Sequence, residues 1–181
     1  QKHNLKTHVD GARLFNAAIA LETPVKELVR DAETVSICLS KGLSAPVGSL
    51  LCGSEEDIIK ARRIRKMLGG GMRQAGIIAA AGKIALTEMI ERLAEDHSNA
   101  RKLALGLAEI NGIEIEPEEL PTNLVFFKVP EGRSKEFATK LGEKGIRVGE
   151  REDSRWRLVT HYGITSDDID YSLQVINSVF D

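Results

Sequence analysis

Apolar and polar positions follow two different periods along the chain, and the period changes from one segment to the next. Short apolar runs rich in β-branched residues predict strands, and apolar residues spaced three or four apart predict helices. In the first half these patterns predict strands at 4–9, 34–39 and 47–52, and helices at 12–20, at 25–31 and from Ser54 onward. Strands and helices therefore alternate, which is typical of an α/β fold.

The second half has a different order of elements. A long helical pattern covers residues 73–110, with a bend expected near 95–98. The segments after it predict a compact α+β module with strands at 113–115, 123–129, 146–148 and 156–160 and helices at 134–144 and 166–180. We place a domain boundary within the long helix and expect domains at 1–90 and 91–181.

The composition excludes several classes of protein. Of the 181 residues, 42% are hydrophobic and 29% are charged, a balance typical of a globular chain that buries a sizeable core. The formal net charge of −2 gives no general attraction to nucleic acid or to an anionic membrane. The longest nearly apolar stretch, 75–86, contains Lys83 and is too short to span a bilayer. We therefore expect neither a membrane nor a nucleic acid as partner.

The two cysteines, Cys38 and Cys52, lie in apolar segments without C-x-x-C spacing. We interpret them as buried free thiols of a reducing compartment, with the cytoplasm as the default. The chain opens on Gln1 with no initiator methionine and no apolar signal segment. This start suggests that a preceding part has been cut away.

Lys41 occupies an unusual position, in a Ser-Lys-Gly loop between two apolar strands. Contact with the core would desolvate its amine and lower its pKa, and an amine that can lose its proton is able to form a Schiff base with a carbonyl compound. An ordinary solvated loop lysine is the alternative, and the spacing alone favours it.

Acidic and basic side chains also meet at the end of the first predicted strand. Strand alternation places His8 and Asp10 on one face, and the following helix begins beside Arg13. Ligands of open α/β sheets bind at the carboxyl ends of strands, so this position suits a ligand with a positive ring nitrogen and a carboxylate. The alternative is an acid at a helix N-terminus that is neutralised by its own arginine.

A basic cluster and two histidines are weaker candidates. The cluster comprises Lys60, Arg62, Arg63, Arg65 and Lys66, and nucleic acid binding is a remote hypothesis for it because no aromatic residue interleaves the charges. The spacing of Glu56 and Lys60 favours an ion pair on a solvated or subunit-facing helix instead. We expect His97 at the surface and consider a substrate contact for His161 if the strand of Arg157 continues that far. No spacing of His, Cys and carboxylates indicates a metal site.

Three motifs together resemble the low-specificity L-threonine aldolases. They are H-x-D-G-A-R-L-F-N-A at 8–17, S-K-G-L-S-A-P-V-G-S at 40–49 and R-K-M-L-G-G-G-M-R-Q-A-G at 65–76, and the similarity continues to the end of the chain. Three motifs in this order are far more specific than any single motif. They outweigh the alternatives of a solvated loop lysine at position 41 and a neutralised acid at position 10. The resemblance implies part of the large domain of a fold-type I pyridoxal-phosphate enzyme, with a mainly parallel sheet, followed by a small α+β carboxyl-terminal domain.

The resemblance also implies roles for individual residues. Lys41 matches the lysine that forms the internal aldimine with pyridoxal 5′-phosphate, and Asp10 matches the acid that pairs with the protonated pyridine nitrogen. Arg13 and Arg157 match the arginines that hold the substrate carboxylate, a task that suits their planar donor fork. The loop that follows the glycines of the third motif would bring Arg73 and Lys66 toward the cofactor, either of the same subunit or of a neighbouring one.

The activity implied is the cleavage of L-threonine and L-allo-threonine to glycine and acetaldehyde in a cytoplasmic homo-oligomer, a dimer of dimers. The chain resembles about the carboxyl-terminal half of such an enzyme, so we expect these residues alone to lack activity. An aminotransferase or a beta-eliminating lyase of the same fold is the alternative, because it would share Lys41 and Asp10. The resemblance indicates a small amino acid as substrate.

Overall fold

The computed structural model describes residue 3 and residues 5–149 and 154–180, and these divide into two compact units. The first unit is Gln1–Leu93 and the second is Ala94–Asp181. Residue 4, where the first predicted strand begins, lies outside the described residues.

A three-stranded sheet and four helices make up the first unit. The elements are β1 (His8–Gly11), α1 (Leu14–Ala20), α2 (Val25–Leu28), β2 (Thr34–Cys38), β3 (Ser49–Gly53), α3 (Glu55–Met67) and α4 (Gly76–Glu88). The strand order is β1-β2-β3, with β1 parallel to β2 and β2 antiparallel to β3. The described sheet is therefore mixed. The connection from β2 to β3 is too short for the crossover that parallel strands require, so β3 must run back antiparallel.

Capping and burial explain where these elements form. Ser54 caps α3 by accepting a hydrogen bond from Asp57 N (3.2 Å), and acidic residues fill the first turn while basic residues fill the last, which matches the helix dipole. The expected Glu56–Lys60 ion pair is present. The apolar core of the unit consists of Leu39, Leu43, Ala45, Ala85 and Leu93.

The predicted long helix is two helices, because the chain turns at 89–92 rather than bending near 95–98. α4 ends at Glu88, and α5 (Leu93–Ala108) begins only after the turn. Met89 and Ile90 pack against the apolar core, and Leu93 N donates to Ile90 O (3.1 Å). The apolar residues of the turn are half-buried against the core. Their spacing is the same as in a continuous helix, so the sequence pattern does not reveal the turn.

The second unit packs helices against a two-stranded antiparallel sheet. After α5 come a 3₁₀ turn (Pro117–Glu119), β4 (Leu124–Lys128), α6 (Ser134–Glu143), β5 (Arg155–Val159) and α7 (Ser166–Phe180). β4 pairs with β5, Phe126 lying opposite Arg157 and Phe127 opposite Trp156. The α+β character expected for this part of the chain is observed.

Two of the short predicted strands do not form in the second unit. The segment 113–115 contributes a single bridge between Glu114 and Lys128. The segment 146–148 is irregular, because Ile146 N donates to Leu141 O (2.9 Å) and so closes the end of α6 instead of pairing with a strand. Ile146 and Val148 still pack against the core, which accounts for their apolar character.

Aromatic rings and a buried polar chain organise the core of the second unit. Phe137 lies at the centre, with its ring centroid 4.9 Å from that of Trp156 and 6.1 Å from that of Phe127, both in edge-on geometry. Thr160 Oγ1 donates to Asp96 O (2.6 Å), and Asn123 Nδ2 donates to Thr160 O (2.7 Å). These hydrogen bonds fix the chain immediately after β5.

Arg133 joins the start of α6 to the end of α7. Its guanidinium donates to Val179 O (3.0 Å), lies 5.0 Å from the ring centroid of Phe180 and binds Glu136 (3.0 Å). Hydrogen bonds from Arg133 and Lys140 lower the pKa of Glu136 to about 2.

Within the described residues, no helix combines the length and apolar character needed to cross a membrane.

Replacing Glu136 by Gln should lower stability in a pH-dependent way. The carboxylate has a lowered pKa in the folded state, so its contribution is complete above its ordinary pKa of 4.5 and is lost as the pH falls toward about 2. The difference in unfolding midpoint between the Gln variant and the parent should therefore shrink over this interval. Glu143→Gln on the same helix is the control, and an equal pH dependence there would contradict the assignment.

Candidate active site

Parallel pairing brings Asp10 and Lys41 to the same edge of the first unit's sheet. Asp10 lies near the carboxyl end of β1, opposite Ser36 of β2. Lys41 lies in the loop that leaves the carboxyl end of β2. Since β1 and β2 run in the same direction, both charged side chains belong to the edge at which open α/β sheets bind ligands.

The side chain of Asp10 is exposed and accepts a hydrogen bond from Ala12 N (3.1 Å). This hydrogen bond from the backbone holds the carboxylate at the start of the turn that leads into α1. Arg13 is half-buried and immediately precedes α1. His8 lies on the face of Asp10, as expected, and its Nδ1 is hydrogen-bonded to Thr34 Oγ1 (2.9 Å).

Backbone hydrogen bonds fix the Lys41 loop, which we define as residues 39–48. Leu39 N donates to Gly48 O (2.9 Å), Ala45 N donates to Leu39 O (3.0 Å) and Ser44 N donates to Lys41 O (2.9 Å). Ser44 has a φ of 59°, in the left-handed region that a residue with a side chain seldom adopts. Three hydrogen bonds therefore hold the Lys41 loop in one shape despite the backbone strain at Ser44.

The expectation that Lys41 is desolvated is wrong for this structure, because the residue is exposed. The residues that follow it, Gly42 and Leu43, are buried and turn toward the core, so the lysine is directed away from it. Lys41 Nζ makes no hydrogen bond or ion pair with any residue that the structure describes. The amine is thus accessible to a ligand.

Asn16 of α1 packs against the Lys41 loop, and sequence reasoning did not identify it. Its side chain is only 2% exposed. A Cβ placed on Gly42 would lie 2.9 Å from Asn16 Oδ1 and 2.9 Å from Leu93 Cδ2, well inside ordinary contact distances. Glycine is therefore required at position 42 for the loop to approach α1 this closely. The apolar-polar pattern offered one signal, a polar residue on the buried face of a predicted helix.

A polar group of side chains shares the sheet face of Asp10. Cys38 lies opposite Ser49 in the antiparallel register, and its Sγ is 3.4 Å from Ser40 Oγ. Burial raises the pKa of the Cys38 thiol, but hydrogen bonds with Ser40 and Ser49 and the charge of Lys41 outweigh it, so the pKa lies below its ordinary value. Cys38 and Cys52 are both free thiols, but the expectation that they are buried is wrong, since Cys38 is half-buried and Cys52 is exposed like the rest of β3.

Arg73 lies in a different loop of the first unit, between α3 and α4. It is exposed, and no hydrogen bond or ion pair joins it to Asp10 or Lys41 in the described part of the chain. Gly69 follows the C-cap residue of α3 and has a φ of 82°, so this glycine ends the helix in the left-handed conformation. A Cβ on Gly71 would lie 2.6 Å from Lys66 Cδ, which shows that the Lys66 side chain folds over this glycine.

In the second unit, Arg157 lies on the exposed face of the β4–β5 pair. It is flanked on that face by Arg155 and stands opposite Phe126. The strand ends at Val159, so His161 does not continue on the face of Arg157, and its Nδ1 is hydrogen-bonded to Tyr162 O (2.8 Å).

His97, expected at the surface, is half-buried because the first turns of α5 pack inward. Burial lowers its pKa, and the charge of Asp96 opposes this to a smaller extent. Among the residues that the structure describes, no three His, Cys, Asp or Glu side chains are grouped so that they could hold a metal ion.

Comparison with known protein families assigns the chain. The model of the family described as "Beta-eliminating lyase" matches residues 1–130. The chain belongs to this family. Together with relatives named low-specificity L-threonine aldolase, this match confirms the resemblance inferred from the three motifs. The description of this family is that of a lyase.

Relatives of similar sequence carry a more specific name. The low-specificity L-threonine aldolase 1 of Arabidopsis thaliana is 45% identical over 96% of this chain and 49% of its own length. The low specificity L-threonine aldolase of Escherichia coli (strain K12) is 44% identical over 93% of this chain and 49% of its own length. The chain therefore spans about half the length of the curated relatives it matches.

Solved structures show the same fold at low sequence identity. A Listeria monocytogenes protein provisionally described as an L-allo-threonine aldolase is 17% identical with a TM-score of 0.83, over 98% of this chain and 53% of that one. An alanine–glyoxylate aminotransferase from Nostoc sp. is 19% identical with a TM-score of 0.69, over 99% and 55%. The expected fold, that of fold-type I pyridoxal-phosphate enzymes, is confirmed.

Replacing Gly42 by Ala should destabilise the first unit by about 1–3 kcal/mol, the usual cost of overpacking. The new methyl would collide with Asn16 and Leu93 unless the Lys41 loop moved away from α1. Denaturant unfolding of the chain measures the effect. Gly142→Ala in α6 is a matched control, because nothing lies within 4 Å of the added carbon and a helix interior favours alanine. Equal stabilities of the two variants would contradict the close approach.

Proposed function

We propose that the whole protein containing this chain is a pyridoxal-phosphate-dependent aldolase that cleaves L-threonine and L-allo-threonine to glycine and acetaldehyde. The observation that carries the proposal is the placement of Asp10 and Lys41 at one sheet edge, both exposed. Relatives of more than 40% identity that bear the name low-specificity L-threonine aldolase support the substrate class.

The residues at this edge fit the cofactor. An accessible amine on a fixed loop suits a covalent bond to the aldehyde carbon, so we assign Lys41 to that bond. The Asp10 carboxylate is exposed and suits a hydrogen bond from a protonated ring nitrogen. When bound, pyridoxal phosphate supplies an electron sink for the electrons of a breaking bond at the substrate Cα. Asp10 keeps the ring nitrogen protonated and so maintains that property.

Arginines are proposed to bind the substrate carboxylate. We assign this role to Arg13, three residues after Asp10, and to Arg157, on the exposed face of β5, because the planar fork of a guanidinium matches two carboxylate oxygens. A bidentate contact fixes the orientation of the substrate as well as its position. With the cofactor bound, the arginines would thereby hold the scissile bond at Cα in the orientation that favours its cleavage, so this orientation would select the reaction.

Further properties of the whole protein are proposed on the same basis. We assign residues 1–90 to the end of a large cofactor-binding domain and 91–181 to a small carboxyl-terminal domain. Arg73 is proposed to bind the cofactor, including that of a neighbouring subunit, in a homo-oligomer built as a dimer of dimers. Glycine formation by threonine breakdown in the cytoplasm is the proposed cellular role.

The reaction is tested by comparing two activities of the full-length protein. We expect acetaldehyde release from L-threonine and L-allo-threonine to exceed amino-group transfer to 2-oxo acids. Lys41→Ala should abolish the release while the unfolding midpoint changes little, since the side chain is exposed. Lys26→Ala, an exposed lysine of α2, is the control. Faster amino-group transfer would replace the proposal by an aminotransferase, and borohydride fixing the cofactor on another lysine would refute the role of Lys41.

The acid and the arginine should affect different kinetic constants. Asp10→Ala should lower kcat far more than it raises KM, because the ring nitrogen matters chiefly in the transition state. Arg157→Ala removes a charge-assisted contact of roughly 1.5–3 kcal/mol, so it should mainly raise KM for threonine, by about 10- to 150-fold, and lysine should restore this only partly. Arg155→Ala on the same face should leave KM nearly unchanged, and an equal rise there would contradict the assignment.

A further inference from the structure

We infer that Asn16 is a positioning residue that holds the Lys41 loop against α1 and so sets the place of the lysine amine relative to Asp10. The inference rests on the proposed function, since it concerns the geometry of the proposed cofactor site. It adds a residue that does not carry a charge and does not belong to the sheet edge itself.

The contact lies directly beside the lysine. Gly42 follows Lys41, and its backbone is buried against the Asn16 amide, with Oδ1 2.9 Å and Nδ2 3.5 Å from the position that a Cβ on Gly42 would take. At such distances the loop cannot move toward α1. The hydrogen bonds of Leu39, Ser44 and Ala45 fix the loop internally. The side chain of Asn16 limits its motion toward α1.

The chain runs directly from Asp10 into the helix that carries Asn16. α1 starts at Leu14, directly after Arg13, and β1 delivers Asp10 immediately before it. Gly11, between them, leaves almost no free space, because a Cβ there would lie 2.9 Å from Ser36 O and 3.2 Å from Leu14 Cβ. The start of this segment is therefore packed tightly against β2, and Asn16 at its end contacts the Lys41 loop.

The chemical nature of Asn16 argues against a filling role. Burial of an amide is unfavourable unless its polar atoms are satisfied, and asparagine is a poor residue for a helix interior. An aliphatic residue would fill the same space between α1 and the core more favourably. A short, planar, nearly rigid side chain is suited instead to close contact with a peptide group, which is what Gly42 presents.

The full-length protein is compared with Asn16→Ala and Asn16→Leu, of which the second keeps most of the volume but removes the amide. Ala18→Gly, at a buried position of the same helix, is the control for loss of stability alone. For each variant we would measure kcat and KM for threonine, the pH dependence of the absorption of the Lys41-bound cofactor, and the melting temperature. A misplaced lysine should lower kcat by roughly 10- to 100-fold with little change in KM.

We expect both Asn16 variants to shift the pH at which the cofactor absorption changes, and the Ala18 control to lower the melting temperature without that shift. Unchanged absorption and kcat in both variants, with melting temperatures lowered as in the control, would overturn the inference. A second readout does not need the cofactor. The rate of acylation of Lys41 relative to Lys26, read by mass spectrometry of peptides, should change several-fold in the Asn16 variants only.

The two readouts separate the inference from the proposed function. If the full-length protein bound no pyridoxal phosphate on Lys41, the proposed function would fail, while the acylation rates would still test whether Asn16 positions the lysine. If the cofactor bound and the acylation ratio stayed equal in all variants, the inference would fail and the proposed function would stand.

Discussion

The parallel pairing of β1 and β2 brings two charged side chains from separate parts of the sequence to one edge of a sheet. The pairing depends on close packing at Gly11, where a Cβ would lie within 3.2 Å of both Leu14 and Val35 side chains. It depends equally on the strands having the same direction, because an antiparallel β2 would carry Lys41 to the opposite edge. The arrangement of Asp10, the Lys41 loop and α1 follows from this one contact between strands.

Much of this fold could be predicted from periodicity, because the apolar patterns of β2, α6 and α7 reflect burial on a single face. Ser54 and the charged turns of α3 mark helix ends directly. Three features could not be predicted in this way. The turn at 89–92 begins with Met89 and Ile90, which continue the apolar spacing of a helix. The end of α6 is closed by the backbone N–H of Ile146. Lys41 lies between two apolar segments, although the lysine itself is exposed. Each is decided by contacts between segments rather than by local pattern.

The candidate site shows the same limit at the level of chemistry. The motifs indicated Lys41 and Asp10 because these residues carry the charges, and the register then placed Asp10 beside Ser36. Asn16 carries no charge, and its importance appears only from the space available at Gly42. Likewise, Arg155 and Arg157 share one face of β5 and cannot be distinguished by alternation. Only the family resemblance singled out Arg157.

Ser44 limits which sequences can form the Lys41 loop. Its left-handed backbone is intrinsically unfavourable for residues with a Cβ and strongly so for β-branched ones, so the hydrogen bond from its N to Lys41 O is formed against local strain. Glycine, asparagine and aspartate adopt this conformation most readily. The substitutions open to position 44 during evolution are thus restricted by backbone geometry alone, independently of any contact that its hydroxyl makes with a ligand.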